Sequence, residues 1–358
     1  MENADCDKFI EKLRKIKVLK SDFDKKLNIS RPFFDELNII KINIEQELKD
    51  LSGLLMEKRF ELKRFYEENV NVLSETGLIE ILSNGREGFI DITGKERPIP
   101  KYEEFAEYVT EKYSERKEFF DRKREQGFTE IRIIPFGLPL KHFKLCAEEL
   151  IKRKYQEGKL LGTDGTKIEL NEEEPVFIAE EYKCAENEQG ADVSGELVYY
   201  PKKYDKKNHG GKTKQEILNE QEKEDRFTGW EFQFVEDLPD LPGKGKGKVV
   251  NGRKQIEAGL SPEEYLKMQE TDGQYEGERG QTAEAELTEF IYNLKAHDRV
   301  IDDWEGGGKG SWNISGYFKS SGLVCLSGWV RYIGRLFLYG RNADSRDDYR
   351  GCRFGVRI

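Results

Sequence analysis

From Leu37 the apolar residues recur in steps of three and four, through Ile40, Ile44, Leu48, Leu51, Leu55, Leu62 and Phe65. That spacing puts them on one stripe of a helix, with Lys58 interrupting one rung. Ser30 stands ahead of Arg31-Pro32, as an N-cap does before a proline in the first turn. The pattern predicts a helical N-terminal segment over residues 1–75. Its stripe either pairs chains as a coiled coil or packs against its own chain.

A different pattern follows. Lys101 to Gln126 reads as one charged helix, with Tyr102, Phe105, Val109 and Phe119 at its inner positions. Thr129-Glu130-Ile131-Arg132-Ile133-Ile134 alternates and is rich in β-branched residues, which predicts a strand ended by Pro135-Phe136-Gly137. A helix is predicted from Leu140 to about Tyr155, with Gly158 placed as its C-terminal cap. Lys202 to Asp225 is almost wholly polar and reads as a loop and an exposed helix outside any core. Residues 76–227 are therefore expected to form an α+β module of unassigned role.

After Phe227 the alternation sharpens. Trp230, Phe232 and Phe234 alternate with Glu231, Gln233 and Val235, the period of a strand with one aromatic face. Ser261-Pro262-Glu263-Glu264 combines a serine cap, a proline at the first helical position and acids facing the macrodipole. Thr282 opens a second helix with Leu287, Ile291 and Leu294 inside. A segment rich in Gly, Ser, Trp and Tyr then predicts short strands, clearest at Arg335-Leu336-Phe337-Leu338-Tyr339. In that run one alternating pair, leucines or aromatics, is buried and the other faces out. Phe354 to Ile358 reads as a strand expected to pair with the Trp230–Phe234 strand.

Composition narrows the function classes. Apolar and charged residues each make up 36% of the 358 residues, so the core must be concentrated locally. No apolar run approaches the roughly 20 residues of a membrane span. The N-terminus lacks an apolar signal core, so secretion by that route is not expected. Sixty Lys and Arg against seventy Asp and Glu give a net charge of −10, which argues against broad nucleic-acid binding. Cys6, Cys146, Cys184, Cys325 and Cys352 are scattered without C-x-x-C spacing, so neither a disulfide framework nor a zinc site is expected. A reducing cytoplasm fits that usage. His142, His209 and His297 stand far apart and read as structural. Lys244-Gly245-Lys246-Gly247-Lys248 lacks phosphate-loop order, because Val249 follows the last lysine; it reads as a solvated basic loop. No cofactor or metal is expected.

From residue 228 the order is strand, helix, helix, turn-rich short strands and terminal strand, the order of a C-type lectin fold. Val300-Ile301-Asp302-Asp303-Trp304 leads into Gly308-Lys309-Gly310-Ser311, Gly316-Tyr317-Phe318, Ser320-Ser321-Gly322, Trp329, Arg331-Tyr332, Arg346-Asp347-Asp348 and Gly355-Val356-Arg357-Ile358. Upstream stand Gly229-Trp230, Glu236-Asp237-Leu238-Pro239, Gly252-Arg253-Lys254-Gln255 and Ser261-Pro262-Glu263-Glu264-Tyr265. This succession resembles the variable proteins of diversity-generating retroelements, best over the last third of the chain. The resemblance implies a C-type lectin domain of the formylglycine-generating-enzyme type over residues 228–358. It further implies that error-prone reverse transcription rewrites adenine-bearing codons near the gene's 3′ end, so that altered side chains on a constant scaffold bind ligands.

The residues themselves agree on one point. From Ser327 to Arg350 the chain mixes Tyr, Trp, Arg, Asn, Asp, Ser and Gly with few aliphatics, the chemistry of an antibody-like paratope. Trp329, Tyr332, Tyr339, Arg341, Asn342, Arg346, Asp347 and Tyr349 are the candidate ligand-binding positions, expected on one solvent-facing patch. The plainer alternative is a solvated loop whose charges neutralise one another. Trp304 and Trp312 read as core residues. Gly310-Ser311-Trp312-Asn313 and Gly355-Val356-Arg357 also resemble formylglycine-generating oxidases, which hold copper through two neighbouring cysteines; here Cys325 and Cys352 are separated by a strand and a loop. A calcium-dependent sugar site is not expected either, because Ile314 stands where a carboxylate should follow Trp312-Asn313. The expectation is a non-enzymatic binding protein whose ligand is a protein and whose N-terminal helices support attachment or homo-oligomerisation.

Overall fold

The computed structural model describes residues 61–183, 190–224, 227–306 and 308–358. The stripe from Leu37 to Leu55, the Ser30 cap, Cys6 and Cys184 lie outside them. The chain divides into two units, of which one holds described residues 61–67 and 101–120 and the other residues 68–100 and the described part of 121–358. The architecture is mixed α+β.

In the first unit Tyr66 packs on Tyr102 and Phe105, with ring centroids 5.7 and 5.4 Å apart. The single helix expected from Lys101 to Gln126 is instead two, Tyr102–Glu115 and Lys117–Glu125. The break falls at Arg116 (φ −134°, ψ 39°). Seven residues of unbroken helix would hold Tyr113 and Phe120 about 10 Å apart along the axis. The break brings their rings to 5.4 Å, stacked, and buries Phe120. Aromatic burial outweighs helical continuity here.

The second unit is built on two larger sheets. One is antiparallel and four-stranded, in the order Glu278–Gly280, Phe354–Arg357, Glu231–Glu236, Phe128–Ile134. The terminal strand thus pairs with the aromatic strand as expected: Val356 lies opposite Phe234, and the Ile358 N–H donates to the Phe232 carbonyl at 3.0 Å. The aromatic strand has no solvated face, however. Glu231 and Gln233 are buried because they have partners, Tyr200 Oη at 2.8 Å and Gln281 Oε1 at 2.9 Å.

The other sheet runs Val176–Ile178, Arg335–Asn342, Leu323–Val330, Gly310–Phe318, Leu197–Tyr199, Lys212–Thr213. Strands from before residue 227 are therefore direct neighbours of strands from after it in both sheets. Local expectations hold at several ends. Ser261 accepts a hydrogen bond from the Glu264 N–H to start the helix Pro262–Thr271, and Thr282 accepts from the Ala285 N–H to start Ala283–His297. Leu140–Gln156 is helical, with Gly158 in the left-handed conformation (φ +67°) just beyond it. Among the described residues no helix is long and apolar enough to cross a membrane.

The helix Ala283–His297 carries the core. Leu287, Ile291 and Leu294 are buried as expected, but so is every residue from Ala283 to Asn293, including Glu284, Glu286 and Glu289. A buried carboxyl group needs a partner. Glu284 has Lys214 Nζ at 2.8 Å and the Tyr199 hydroxyl at 2.6 Å. Glu289 has Arg132 Nε at 2.7 Å. This corrects the reading of Lys202 to Asp225 as chain outside the core. Lys214 begins the helix Lys214–Glu224 and is fully buried between Glu284 and Asp192, while Ile217 and Leu218 are buried on the same helix.

Replacing Lys214 with Met would leave two buried carboxyl groups without their cation. The substitution is expected to cost about 3–5 kcal/mol in urea unfolding, the range for breaking a buried pair from one side. Phe354→Ala, on the terminal strand, should cost a similar amount, about 3–5 kcal/mol, by leaving a cavity beside Tyr275.

Candidate functional site

The candidate positions lie on and after a hairpin, Leu323–Val330 with Arg335–Asn342, in which Val330 faces Arg335 and Leu323 faces Asn342. Strand parity sorts the side chains. Leu336 and Leu338 are buried, while Phe337 and Tyr339 are half-buried on the other face. Trp329 is paired with Leu336 and so shares the inward face. Its ring stacks on Phe290 of the long helix at 6.3 Å, and none of it reaches solvent. Trp329 is therefore a core residue, not part of an exposed patch.

Tyr332 is 68% exposed, but it sits in the hairpin turn with its ring edge-on to Trp304. The strand Arg335–Asn342 separates that turn from Arg341 and Asn342 by seven steps of about 3.3 Å, roughly 23 Å. The expected single patch is thus divided. Tyr332 stands at one end of the hairpin, and the other positions gather at the opposite end and in the following loop. Trp312 is fully buried as expected, whereas Trp304 is only half-buried.

At that second end, Tyr339 lies between two cations: the Arg341 and Arg350 guanidinium carbons are 5.5 and 6.0 Å from its centroid. Arg341 and Asn342 are exposed, and Tyr349 is 57% exposed with Lys309 Nζ 5.0 Å from its ring. Arg346 is exposed and forks onto Glu264. Asp347 is half-buried and serves the loop itself, accepting from the Tyr349 N–H at 2.8 Å and pairing with Arg350 at 3.1 Å.

Three participants are absent from the candidate list: Lys309, Lys244, which pairs with Asp348 at 3.2 Å, and Glu264. Glu264 reads from sequence only as a helix-start acid, and it holds both roles. The Ser261 N–H, then the Arg346 guanidinium, keep its carboxyl below the usual range.

The backbone beneath these side chains is fastened at intervals. Ser345 N–H donates to Asn342 O, Glu263 N–H to Ala343 O and Arg350 N–H to Asp347 O. Gly310 N–H donates to Tyr349 O, and Gly259 N–H to Arg350 O. Arg350–Gly351 then joins Gly310–Ser311 as a parallel strand pair. Ala343 is the buried peg of the loop; its neighbours point away.

The remaining candidate chemistry resolves into structural roles. Cys325 faces Asn313 on the neighbouring strand Gly310–Phe318, while Cys352 packs with Trp312 and Ile314. Trp312 and Asn313 are consecutive in one strand, so the two thiols lie on opposite faces of the sheet. Burial pushes both thiols well above their ordinary pKa, the reverse of an activated or metal-binding thiolate. Among the described residues no three His, Cys, Asp or Glu side chains are grouped to hold a metal ion. His142 Nε2 contacts the Gly77 carbonyl at 2.8 Å, and His209 Nδ1 accepts from the Gly211 N–H at 3.0 Å. The Lys244–Lys248 loop is exposed, and its Gly245 and Gly247 N–H groups converge on the Glu257 carboxylate at 3.0 and 2.7 Å.

No family model, curated protein or solved structure matches this chain.

The parity assignment has a direct check. Trp329→Ala is expected to cost about 3–5 kcal/mol of stability. Tyr349→Ala is expected to stay within about 0.5 kcal/mol, as surface changes do. Paired denaturant melts would separate the two.

Proposed function

We propose that this protein binds a protein ligand through side chains displayed at the end of the hairpin and in the following loop, on a scaffold of the C-type lectin type. Arg341, Asn342, Arg346 and Tyr349 form the display set, with Tyr339 as a half-buried aromatic floor. The observation that carries the reading is the division of labour in residues 342–351. Main-chain hydrogen bonds, one buried alanine and the half-buried pair Asp347–Arg350 hold the loop, while most of its other polar and aromatic side chains face solvent. Such a segment tolerates exchange of side chains without loss of its path. That is the property required of a retroelement-diversified variable protein, which the C-terminal motifs resemble. The pairing of the first and last strands of the 228–358 segment supports the same scaffold. Tyr and Arg are the residue types that dominate binding energy in protein interfaces. The placement of Cys325 and Cys352 on opposite faces favours display over the copper-oxidase alternative.

The test is a displayed library with positions 341, 342, 346 and 349 randomised. Most members are expected to resist protease as the parent does, and selection against a panel of folded proteins should yield binders that lose binding when Tyr349 or Arg341 is returned to Ala. A library that is mostly protease-sensitive would overturn the reading. At the DNA level, the diversification half of the proposal requires a near-copy of the DNA encoding roughly the last 30 residues beside a reverse-transcriptase gene, with mismatches confined to template adenines.

A further inference from the structure

Behind the display loop lies a buried group of charges that the binding reading does not use. Arg353 directs Nε and Nη2 to the two carboxylate oxygens of Asp302, both at 2.8 Å. Its other donors go to the Leu238 and Pro239 carbonyls at 2.6 and 3.0 Å. Glu286 of the long helix faces the same guanidinium but lies 3.6 Å from Nε, beyond hydrogen-bond reach. It also lies 3.4 Å from the Ser311 hydroxyl and within side-chain hydrogen-bond reach of the Asp302 carboxyl group. Glu286 and Asp302 are 3% and 1% exposed. One cation thus serves two buried carboxyl groups, and Asp302 holds its fork.

We propose that Glu286, Asp302 and Arg353 form a proton-loaded latch that joins the long helix to the terminal segment in neutral and acidic solution and loosens as pH rises. The proton sits on Glu286 and converts a repulsive carboxylate pair into a hydrogen-bonded one. Among the described residues, the other groups facing the latch do not supply a second cation. Glu289 on the same helix is occupied by Arg132. Asp240, beside Asp302, is another carboxyl group. Cys352 is a buried thiol whose pKa is pushed up. Glu286 lies in the first turns of its helix, where the macrodipole favours a negative charge, but that effect is smaller than the cost of stripping water from a buried ion. Burial first, and Asp302 next, hold the Glu286 carboxyl far above the usual range.

The sign follows from that direction. A carboxyl group whose folded pKa is raised binds its proton more tightly folded than unfolded. Its contribution is complete below the ordinary glutamate pKa and is lost as pH rises through the folded value. This is the reverse of a salt-bridged carboxylate. The latch also reaches the display loop. Arg353 follows Arg350–Gly351, the strand pair that closes the loop. The main-chain carbonyl of Asp302, a residue held at φ +50°, accepts the Trp329 N–H at 3.1 Å. A second negative charge at Glu286 would therefore strain the base of the loop and the terminal strand together.

The experiment compares denaturant unfolding of the full chain and of Glu286→Gln from about pH 5 to about pH 9. Gln copies the protonated side chain. The wild-type midpoint is expected to fall as pH rises, and the variant's midpoint to fall distinctly less, the two converging at the acidic end. Other titrating groups, Glu284 and the buried tyrosines among them, are common to both proteins and cancel in the difference. Parallel curves would overturn the latch. Should Glu286→Gln fail to fold, carboxyl ¹³C resonances of the wild type decide the matter. A Glu286 signal that stays at the protonated position through neutral pH supports the latch, and one that titrates with the solvent-exposed glutamates overturns it.

Discussion

The second unit depends on burying charge in opposed pairs. The helix Ala283–His297 sits between the two larger sheets with three glutamates inside: Glu284 and Glu289 are met by Lys214 and Arg132, while Glu286 shares Arg353 with Asp302. A fourth acid, Glu278 on an edge strand, is met by Arg253 and Lys123, all fully buried. A chain with as many charged as apolar residues cannot enclose its sheets with aliphatic side chains alone. It encloses ions instead, and each needs its partner in position before the desolvation cost is offset. These pairs bring little net stability compared with apolar substitutes of the same shape, but they penalise every arrangement in which a partner is missing. The fold is therefore specified by matching as much as by hydrophobic burial.

That mode of packing decides what could be read from the chain. Capping is local, so Ser261, Thr282 and Gly158 were legible. Period-two alternation is local as well, so the Thr129–Ile134, Trp230–Phe234 and Arg335–Tyr339 strands were legible, and so was the pairing of the last strand with the aromatic one. Buried ion pairs are not local. Lys214 lies in a run that looks solvated, and the two acids that bury it are 22 and 70 positions away. The break at Arg116 was hidden for a similar reason: the stacking of Tyr113 on Phe120 competes with a helical pattern that is otherwise sound.

The candidate site was legible in its chemistry and less so in its geometry. Counting aromatic and polar residues picked out a loop whose side chains are largely exposed. It did not separate Trp329 from Tyr332, because residue type says nothing about parity. Pairing does: once Trp329 is opposite Leu336, its ring must follow the leucine inward. Asp347 shows the same limit. It has paratope chemistry but spends it on its own backbone and on Arg350. What remains exposed is a smaller set than composition suggested, on a backbone fastened independently of it.

The basic loop at Lys244–Lys248 carries a separate consequence. Its converging N–H groups form a cradle for an anion, and Glu257, 12 and 10 residues beyond the two donors, fills it. A ligand tethered by so short a connection is present at an effective concentration on the order of millimolar or above. A free phosphate or carboxylate must outcompete that tethered group before it can touch the cradle. The loop thus behaves as a receptor already saturated by its own chain.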